Sequence, residues 1–263
     1  MSSITLMIPA LNEEKRIGNT LENVLKVIPA GDDRRVQILV IDDGSTDGTA
    51  KIVADYARHH QEITLLRHDG NRGLGQALRT ALAHATGEKF LIVPGDNDMP
   101  AATLSDLIRH AHSADMVMCF FPDRQFRGRG RRILSALFGF IYAACFDVHV
   151  QYINGPCVYP VARLRELELF SSRFSIVAEI NVKLLRQGVS FIEIPGHRQV
   201  GLEGSSSFSL RNLREVAAVF LRLFYEIHLR NPQLYQKRPV RVRCELTDPD
   251  SGTAAPGGCT PKG

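Results

Sequence analysis

Two carboxylates one residue apart, Asp96 and Asp98, follow the apolar run Phe90–Val93 and a Pro-Gly break. Such a pair suits a hard divalent cation, because carboxylate oxygens fill part of its shell and leave the other positions to phosphate oxygens and water. Two further polar clusters stand in equivalent places. Pro9-Ala10-Leu11-Asn12-Glu13-Glu14 follows Ile4–Ile8, and Asp42-Asp43-Gly44-Ser45-Thr46-Asp47 follows Val36–Ile41. Taken alone, the Asp42 cluster reads equally well as a turn with Thr46 or Asp47 as a helix N-cap. The Asp96 cluster also reads as a turn. All three at the carboxyl ends of strands form a more specific pattern, since open α/β sheets bind ligands along that edge.

The elements that must position these clusters can be read from the apolar periodicity. Short apolar runs predict strands at Ile4–Ile8, Val36–Ile41, Ile63–Leu66, Phe90–Val93, Met116–Phe120 and Val189–Ile194. Between them, helical spacing predicts helices from Asn12 to Ile28, Asp47 to His60, Leu74 to Ala85 and around Leu104–Ala111. Strands that alternate with helices imply a mostly parallel sheet covered on both faces. The rhythm stops at Pro122. Helices are then expected at Ile133–Phe146, Phe174–Gln187 and Arg211–Arg230, and the chain ends in a basic stretch from Lys237 and a Gly/Pro/Thr-rich tail. The organisation this predicts is an α/β domain over 1–205, an amphipathic helical segment over 206–236, and a basic, then disordered, tail over 237–263.

The bulk properties exclude several classes. With 263 residues, 44% apolar and 23% charged, the chain can bury a substantial core. A net charge of +4 predicts no nucleic-acid partner. Five cysteines, none in a CxxC, argue against a disulfide framework or zinc site and for a reducing cytoplasm. The start MSSITLMIPALNEE shows no basic leader before an apolar region. A dinucleotide-binding fold would need GxGxxG after the first strand, where Pro9-Ala10-Leu11-Asn12 stands instead; a P-loop is absent.

Ile8-Pro9-Ala10-Leu11-Asn12-Glu13-Glu14, Val40-Ile41-Asp42-Asp43-Gly44-Ser45-Thr46-Asp47, Asn71-Arg72-Gly73-Leu74-Gly75-Gln76-Ala77 and Asp96-Asn97-Asp98, in this order and spacing, resemble glycosyltransferase family 2. The resemblance implies the GT-A nucleotide-diphospho-sugar transferase fold, here with a C-terminal amphipathic helix. It implies that Pro9, Asn12 and Glu13 border the nucleotide, that Asp42 faces the base or ribose with Asp43 beside it, and that Arg72 and Gly73 line the same pocket. Asp96 and Asp98 would hold Mg²⁺ or Mn²⁺ against the donor diphosphate, with Asp98 counted as catalytic. The activity implied is inverting transfer of a sugar from a UDP- or GDP-sugar.

The acceptor is read from the second half. Five arginines, Arg124, Arg127, Arg129, Arg131 and Arg132, lead into the apolar stretch Ile133–Phe146. A charge run is often only a solvated face, yet arginine forks bind phosphate oxygens, and a helix apolar around most of its circumference is either core or lies in a lipid interface. Phe174–Ile180, Gly188–Pro195 and Arg198–Gly201 are similar to the polyprenyl-phosphate sugar transferase branch of that family. That similarity implies that Arg124, Arg131, Ser135 and Arg198 hold donor or acceptor phosphates. Gln151 stands where the branch usually carries an aspartate, and the lysine usual after Gly201 is missing. A phosphate monoester is mostly dianionic at neutral pH and attacks without a general base; a hydroxyl needs one, and Glu179 is the carboxylate nominated, with a structural ion pair as its alternative. Three readings therefore stand open: transfer to a polyprenyl phosphate at the cytoplasmic membrane face, transfer to a sugar or small-molecule hydroxyl, and a silent nucleotide-sugar-binding scaffold. The helix over Arg211–Arg230 is either core or a basic amphipathic contact with an anionic membrane surface.

Overall fold

Where a strand is buried on both faces, its alternating side chains enter two different cores, so the sequence reads as an unbroken apolar run. Strand β1 (Ser3–Ala10) behaves this way: Leu6 and Ile8 join one buried cluster and Met7 the other. Strand β2 (Arg35–Asp42) repeats it, with Ile38 and Val40 on one face and Leu39 and Ile41 on the opposite one. The computed structural model describes residues 3–28, 35–122, 129–173, 175–197, 210–243 and 260–261.

The remaining strands are β3 (Ile63–Arg67), β4 (Lys89–Ile92), β5 (Met116–Phe120), β6 (Cys157–Pro160), β7 (Ser190–Pro195), β8 (Val240–Arg243) and the two-residue β9 (Thr260–Pro261). The sheet order is β3-β2-β1-β4-β6-β5-β7-β8-β9. Pairings β1–β2, β1–β4, β2–β3, β5–β7 and β7–β8 are parallel; β6 runs against both β4 and β5. Helices α1 (Ile17–Val27), α2 (Thr49–His59) and α4 (Ala101–Arg109) cover one face. Helices α3 (Leu74–His84), α5 (Arg129–Phe146), α7 (Ser175–Arg186) and α8 (Leu210–Tyr225) cover the other; α6 (Val161–Arg165) is a short turn after β6.

Three differences from the expected elements matter. Helix α1 begins at Ile17, not Asn12, because Asn12 is left-handed (φ 56°) and the backbone N–H groups of residues 12–14 bond sideways to the next loop. Val240–Arg243, expected in a basic tail, is a strand paired with β7 through Ser190↔Val240 and Phe191↔Arg241. Helical spacing on α8 picks out Leu213, Val216, Ala217, Phe220, Phe224 and Ile227; Ile227, in the π-helical turn Glu226–Arg230, is buried as that spacing implies, the Leu213 side chain lies outside the described residues, and the buried face otherwise turns to Val219 and Leu223 with Phe220 half-buried. That rotation leaves Leu221, Phe224 and Tyr225 exposed. Among the described residues no helix is long and apolar enough to cross a membrane.

Candidate functional site

The pairing of β1 with β2 ends at Ala10↔Asp42, with Pro9 opposite Ile41, and this register sends the two following loops out side by side. Asp43 N donates back to the Ala10 carbonyl at 2.9 Å. Beyond it the loops are stitched together. Asn12 N donates to Ser45 Oγ (2.9 Å), and Asn12 Oδ1 accepts from Thr46 N (2.9 Å). Glu13 N donates to Thr49 Oγ1 (2.8 Å), Glu14 N to Asp47 Oδ2 (3.1 Å), and Gly48 N to Glu14 Oε2 (2.6 Å). Asparagine is one of the few residues that accept a left-handed backbone, which is why it can turn the chain here. Thr46 occupies the side chain of Asn12, which was expected to border the nucleotide, so Asn12 shapes the ledge through its own hydrogen bonds.

Asp42 and Asp43 have different environments. Asp43 is nearly buried and its two oxygens take three partners: His68 Nδ1 (2.7 Å) and Arg72 N (2.9 Å) on Oδ1, Gly73 N (2.8 Å) on Oδ2. His68 Nε2 in turn lies 2.9 Å from Thr80 Oγ1. Asp43 thus fixes the Arg72–Gly73 turn, where Gly73 has φ 82° and a Cβ would stand 2.7 Å from the Ser172 carbonyl. The Arg72 side chain itself is exposed, its guanidinium 3.7 Å from Asp69. Asp42 is completely buried. Its Oδ1 accepts from Ser45 N at 2.9 Å. Its Oδ2 lies 3.0 Å from Arg67 Nε, yet accepts no hydrogen bond from any described residue. The Arg67 charge compensates this oxygen, and a ligand N–H or hydroxyl that displaced the exposed Arg67 side chain would take its place.

The loop after β4 is held from α1. Thr20 Oγ1 donates to the Gly95 carbonyl (2.9 Å), and Asn23 Nδ2 to Oδ1 of Asn97 (2.7 Å), itself left-handed at φ 60°. Asp96 Oδ1 accepts from Asp98 N at 3.2 Å, and both carboxylates are half-buried. Burial first, and then the charge of Asp96, push the Glu13 carboxyl above its ordinary 4.5, while Arg16 opposes them. Glu13 and the Asp96 pair therefore share one field, and β1, β2 and β4, three neighbouring strands, deliver the three polar loops to one edge. Among the described residues, no three His, Cys, Asp or Glu side chains gather to hold a metal ion. Asp96 and Asp98 fit a cation that draws the rest of its shell from donor phosphate oxygens and water.

Glu179 is placed elsewhere than a base would be. It is completely buried on α7, and its carboxylate takes Phe170 N (3.0 Å), Ser171 N (2.9 Å) and Lys183 Nζ (2.9 Å). The ion-pair alternative raised for this residue is the arrangement observed; its oxygens are engaged and closed to solvent. Arg124 and Arg198 lie outside the described residues, as do the side chains of Arg131 and Ser135, whose backbone belongs to α5. Gln151 N donates to Glu193 Oε1 (2.6 Å). Glu193 also pairs with Arg241 of β8, and burial pushes its carboxyl up. Sequence reading passed over Arg67, His68, Lys183 and the Glu193–Arg241 pair; the only signal was Glu179 and Lys183 one turn apart in an otherwise apolar helix.

Helices α5 and α8 pack through aromatic rings: Tyr142 against Phe220 (5.4 Å) and Phe146 against Phe220 (5.3 Å) and Phe224 (6.4 Å). Around this seam Leu137, Phe140 and Ile141 of α5, Leu221, Phe224 and Tyr225 of α8, and Leu229 of the π turn are exposed, Phe140 by 70%. Arg222 and Arg230 are exposed beside them.

Comparison with known proteins agrees with this arrangement. The sequence profile of the family described as Glycosyl transferase family 2 matches residues 5–173. A dolichyl-phosphate beta-glucosyltransferase of Trichomonas vaginalis is 34% identical over 110 residues, 39% of this chain and 32% of that protein. The chain spans about a third of the length of such dolichyl-phosphate relatives. Glycosyltransferase AglJ of Haloferax volcanii is 24% identical over 242 residues, 89% of this chain and 75% of that one. The crystal structure of glucosyl-3-phosphoglycerate synthase from Mycobacterium tuberculosis with Mn²⁺, UDP-glucose and phosphoglyceric acid superposes with a TM-score of 0.61 at 18% identity, covering 85% of this chain and 80% of that one. This likeness carries the fold, which is the GT-A fold expected from the motifs.

Proposed function

The chain belongs to glycosyl transferase family 2, and on that premise we propose that it transfers a sugar from a UDP- or GDP-sugar to a polyprenyl phosphate, with inversion. The observation that carries the reading is the convergence, at one sheet edge, of the buried Asp42, whose Oδ2 faces only the exposed Arg67 side chain, and the Asp96/Asp98 pair. Asp42 Oδ2 accepts from the base or ribose. The Arg72–Gly73 turn, held by Asp43, closes the same pocket. Asp96 and Asp98 would hold Mg²⁺ or Mn²⁺, which would supply positive charge against the departing nucleoside diphosphate.

In this reaction a phosphate oxygen of the acceptor forms the new bond to the anomeric carbon. The bond from that carbon to the diphosphate breaks, and its electron pair leaves with the nucleotide. No proton need be removed, because the acceptor is already a dianion. The engaged state of Glu179 supports this acceptor over a hydroxyl, since the carboxylate nominated as base is spent on two backbone N–H groups and a lysine. The exposed apolar seam of α5 and α8 supports it too. Seven large apolar or aromatic side chains flanked by Arg222 and Arg230 suit a peripheral contact with an anionic lipid surface, where the acceptor resides.

The test is a screen of UDP- and GDP-sugars with purified protein, with and without polyprenyl phosphate, read as nucleotide release. Release that requires both one donor and the lipid phosphate is the expected result. Release driven by a soluble hydroxyl acceptor, with no response to the lipid, would replace this acceptor.

A further inference from the structure

Lys183 is the one lysine among the described residues that is wholly closed to solvent, and it sits between two buried carboxylates. Its Nζ lies 2.9 Å from Glu179 Oε1 and 3.0 Å from Glu226 Oε2, donates to the Glu168 carbonyl, and stands 4.6 Å over the Phe170 ring. Glu226 opens the π-helical turn at the end of α8 and accepts from the Tyr235 hydroxyl at 3.1 Å. Ion pairs in a core are weak evidence of stability, because desolvating each charge costs several kcal/mol and apolar side chains often serve as well. What this one supplies is direction. Glu179 accepts from Phe170 N and Ser171 N and so fixes the segment Leu169–Ser172.

The other side of that segment is the floor of the Arg72–Gly75 loop. The Ser172 carbonyl accepts from Gly75 N at 3.0 Å, and Arg79 Nη2 of α3 donates to the Leu169 carbonyl at 2.6 Å. Contact is so close that a Cβ on Gly75 would stand 2.4 Å from the Ser171 carbonyl. A continuous chain of polar contacts thus runs from the π turn through Lys183, Glu179 and Leu169–Ser172 to Gly75, at the start of α3.

We propose that Glu179 is a positioning residue for the donor-binding loop, locked in place by Lys183 and Glu226, so that the C-terminal α8–π element sets where Gly73 and Gly75 stand. This rests on the reading of that loop as part of the nucleotide pocket. Glu179→Gln keeps the volume, but its NH₂ group must face Phe170 N, Ser171 N or Lys183, all of them donors. One bond is lost whichever way the amide turns.

The measurements are amide hydrogen exchange across Arg72–Leu78 and the Kd for UDP and GDP. Glu179→Gln should speed exchange at Gly75 and weaken nucleotide binding roughly ten-fold, within the range usual for coupling between separated groups. The KM for polyprenyl phosphate should stay as in the native protein, a split that general loss of stability would not produce. Glu226→Gln, which leaves Glu179 intact but strips Lys183 of its second carboxylate, should move both readouts the same way by less. Gly75→Ala, pressing on the Ser171 carbonyl from the other side, should also weaken nucleotide binding. Native Kd and native Gly75 exchange in folded Glu179→Gln would overturn the proposal. If that variant does not fold, native values in both Glu226→Gln and Gly75→Ala overturn it. Native protein that binds neither nucleotide would sink the functional reading instead, and Gly75 exchange in the variants would still decide the tie.

Discussion

Replacing Asp42 by asparagine changes the floor of the proposed nucleotide pocket with almost no change in volume. In the native chain Oδ1 is committed to Ser45 N at 2.9 Å, and Oδ2, beside Arg67 Nε at 3.0 Å, has no hydrogen-bond donor. Asparagine has one oxygen and one NH₂. If the oxygen keeps Ser45 N, the NH₂ faces both Arg67 and the incoming ligand donor. If the amide turns over, Ser45 N meets the NH₂ and the loop is disturbed. In both orientations the charge-assisted bond to the nucleotide is gone, a loss of about 1.5–3 kcal/mol, or about ten-fold to 150-fold in Kd. Calorimetric titration of UDP and GDP measures it, with a thermal melt to show that the fold is kept. Arg67→Ala is the control. Its guanidinium is 59% exposed but its partner Asp42 is wholly buried, so its removal leaves that carboxylate without its cation and should lower the melt, while the ligand's own bond to Asp42 is kept. An unchanged Kd for Asp42→Asn, or a larger loss for Arg67→Ala than for Asp42→Asn, would show that the pocket floor is assigned to the wrong group.

Asp98→Asn should abolish turnover in a folded protein, and EDTA should do the same to the native protein reversibly; full activity in EDTA would refute the metal-dependent reading. The Glu13 carboxyl, raised above 4.5 by burial and by Asp96, binds its proton more tightly folded than unfolded. Stability from this group is therefore present at low pH and lost as pH rises through the folded value. Glu13→Gln should accordingly raise the Tm of metal-free protein at neutral pH, with the gain shrinking as pH falls toward 4.5; a gain that does not vary with pH would refute it. Phe140→Glu places a charge on a residue 70% exposed. It should leave the melt unchanged and weaken binding to vesicles containing anionic lipid by about ten-fold or more, since burying a phenylalanine is worth about 1.5–3 kcal/mol; unchanged co-sedimentation would remove this face from the membrane.

The parallel half of the sheet was legible because burial on both faces writes itself as continuous apolar runs, as in Ile4–Ile8 and Met116–Phe120. The polar loops after β1, β2 and β4 were legible for the converse reason, since carboxylates and asparagines have no place in a core. Strand β6 was missed: four residues behind Gly155-Pro156 carry no periodicity, and the reversed direction is imposed by β4 and β5 on either side. Strand β8 hid as a basic stretch, because Arg241 finds its carboxylate in Glu193, 48 positions away, while its guanidinium lies over the Phe191 ring. The start of α1 was set too early because a left-handed Asn12 is invisible to helical spacing. Glu179 shows the limit most sharply. Its spacing from Lys183 leaves a base and a structural ion pair equally open, and only Glu226, far along the chain, closes the pair around Lys183.

Transfer itself is tested by following the sugar rather than the nucleotide. Purified protein would be incubated with Mg²⁺ or Mn²⁺, a polyprenyl phosphate in detergent or vesicles, and UDP- or GDP-sugars labelled in the sugar, and the organic phase would then be extracted. Label from one donor should pass into a lipid-linked sugar phosphate, the new anomeric bond should be inverted relative to the donor, and EDTA or Asp98→Asn should stop the transfer. Label that remains in the aqueous phase with every donor, in protein that binds those nucleotides, would contradict the proposed transfer.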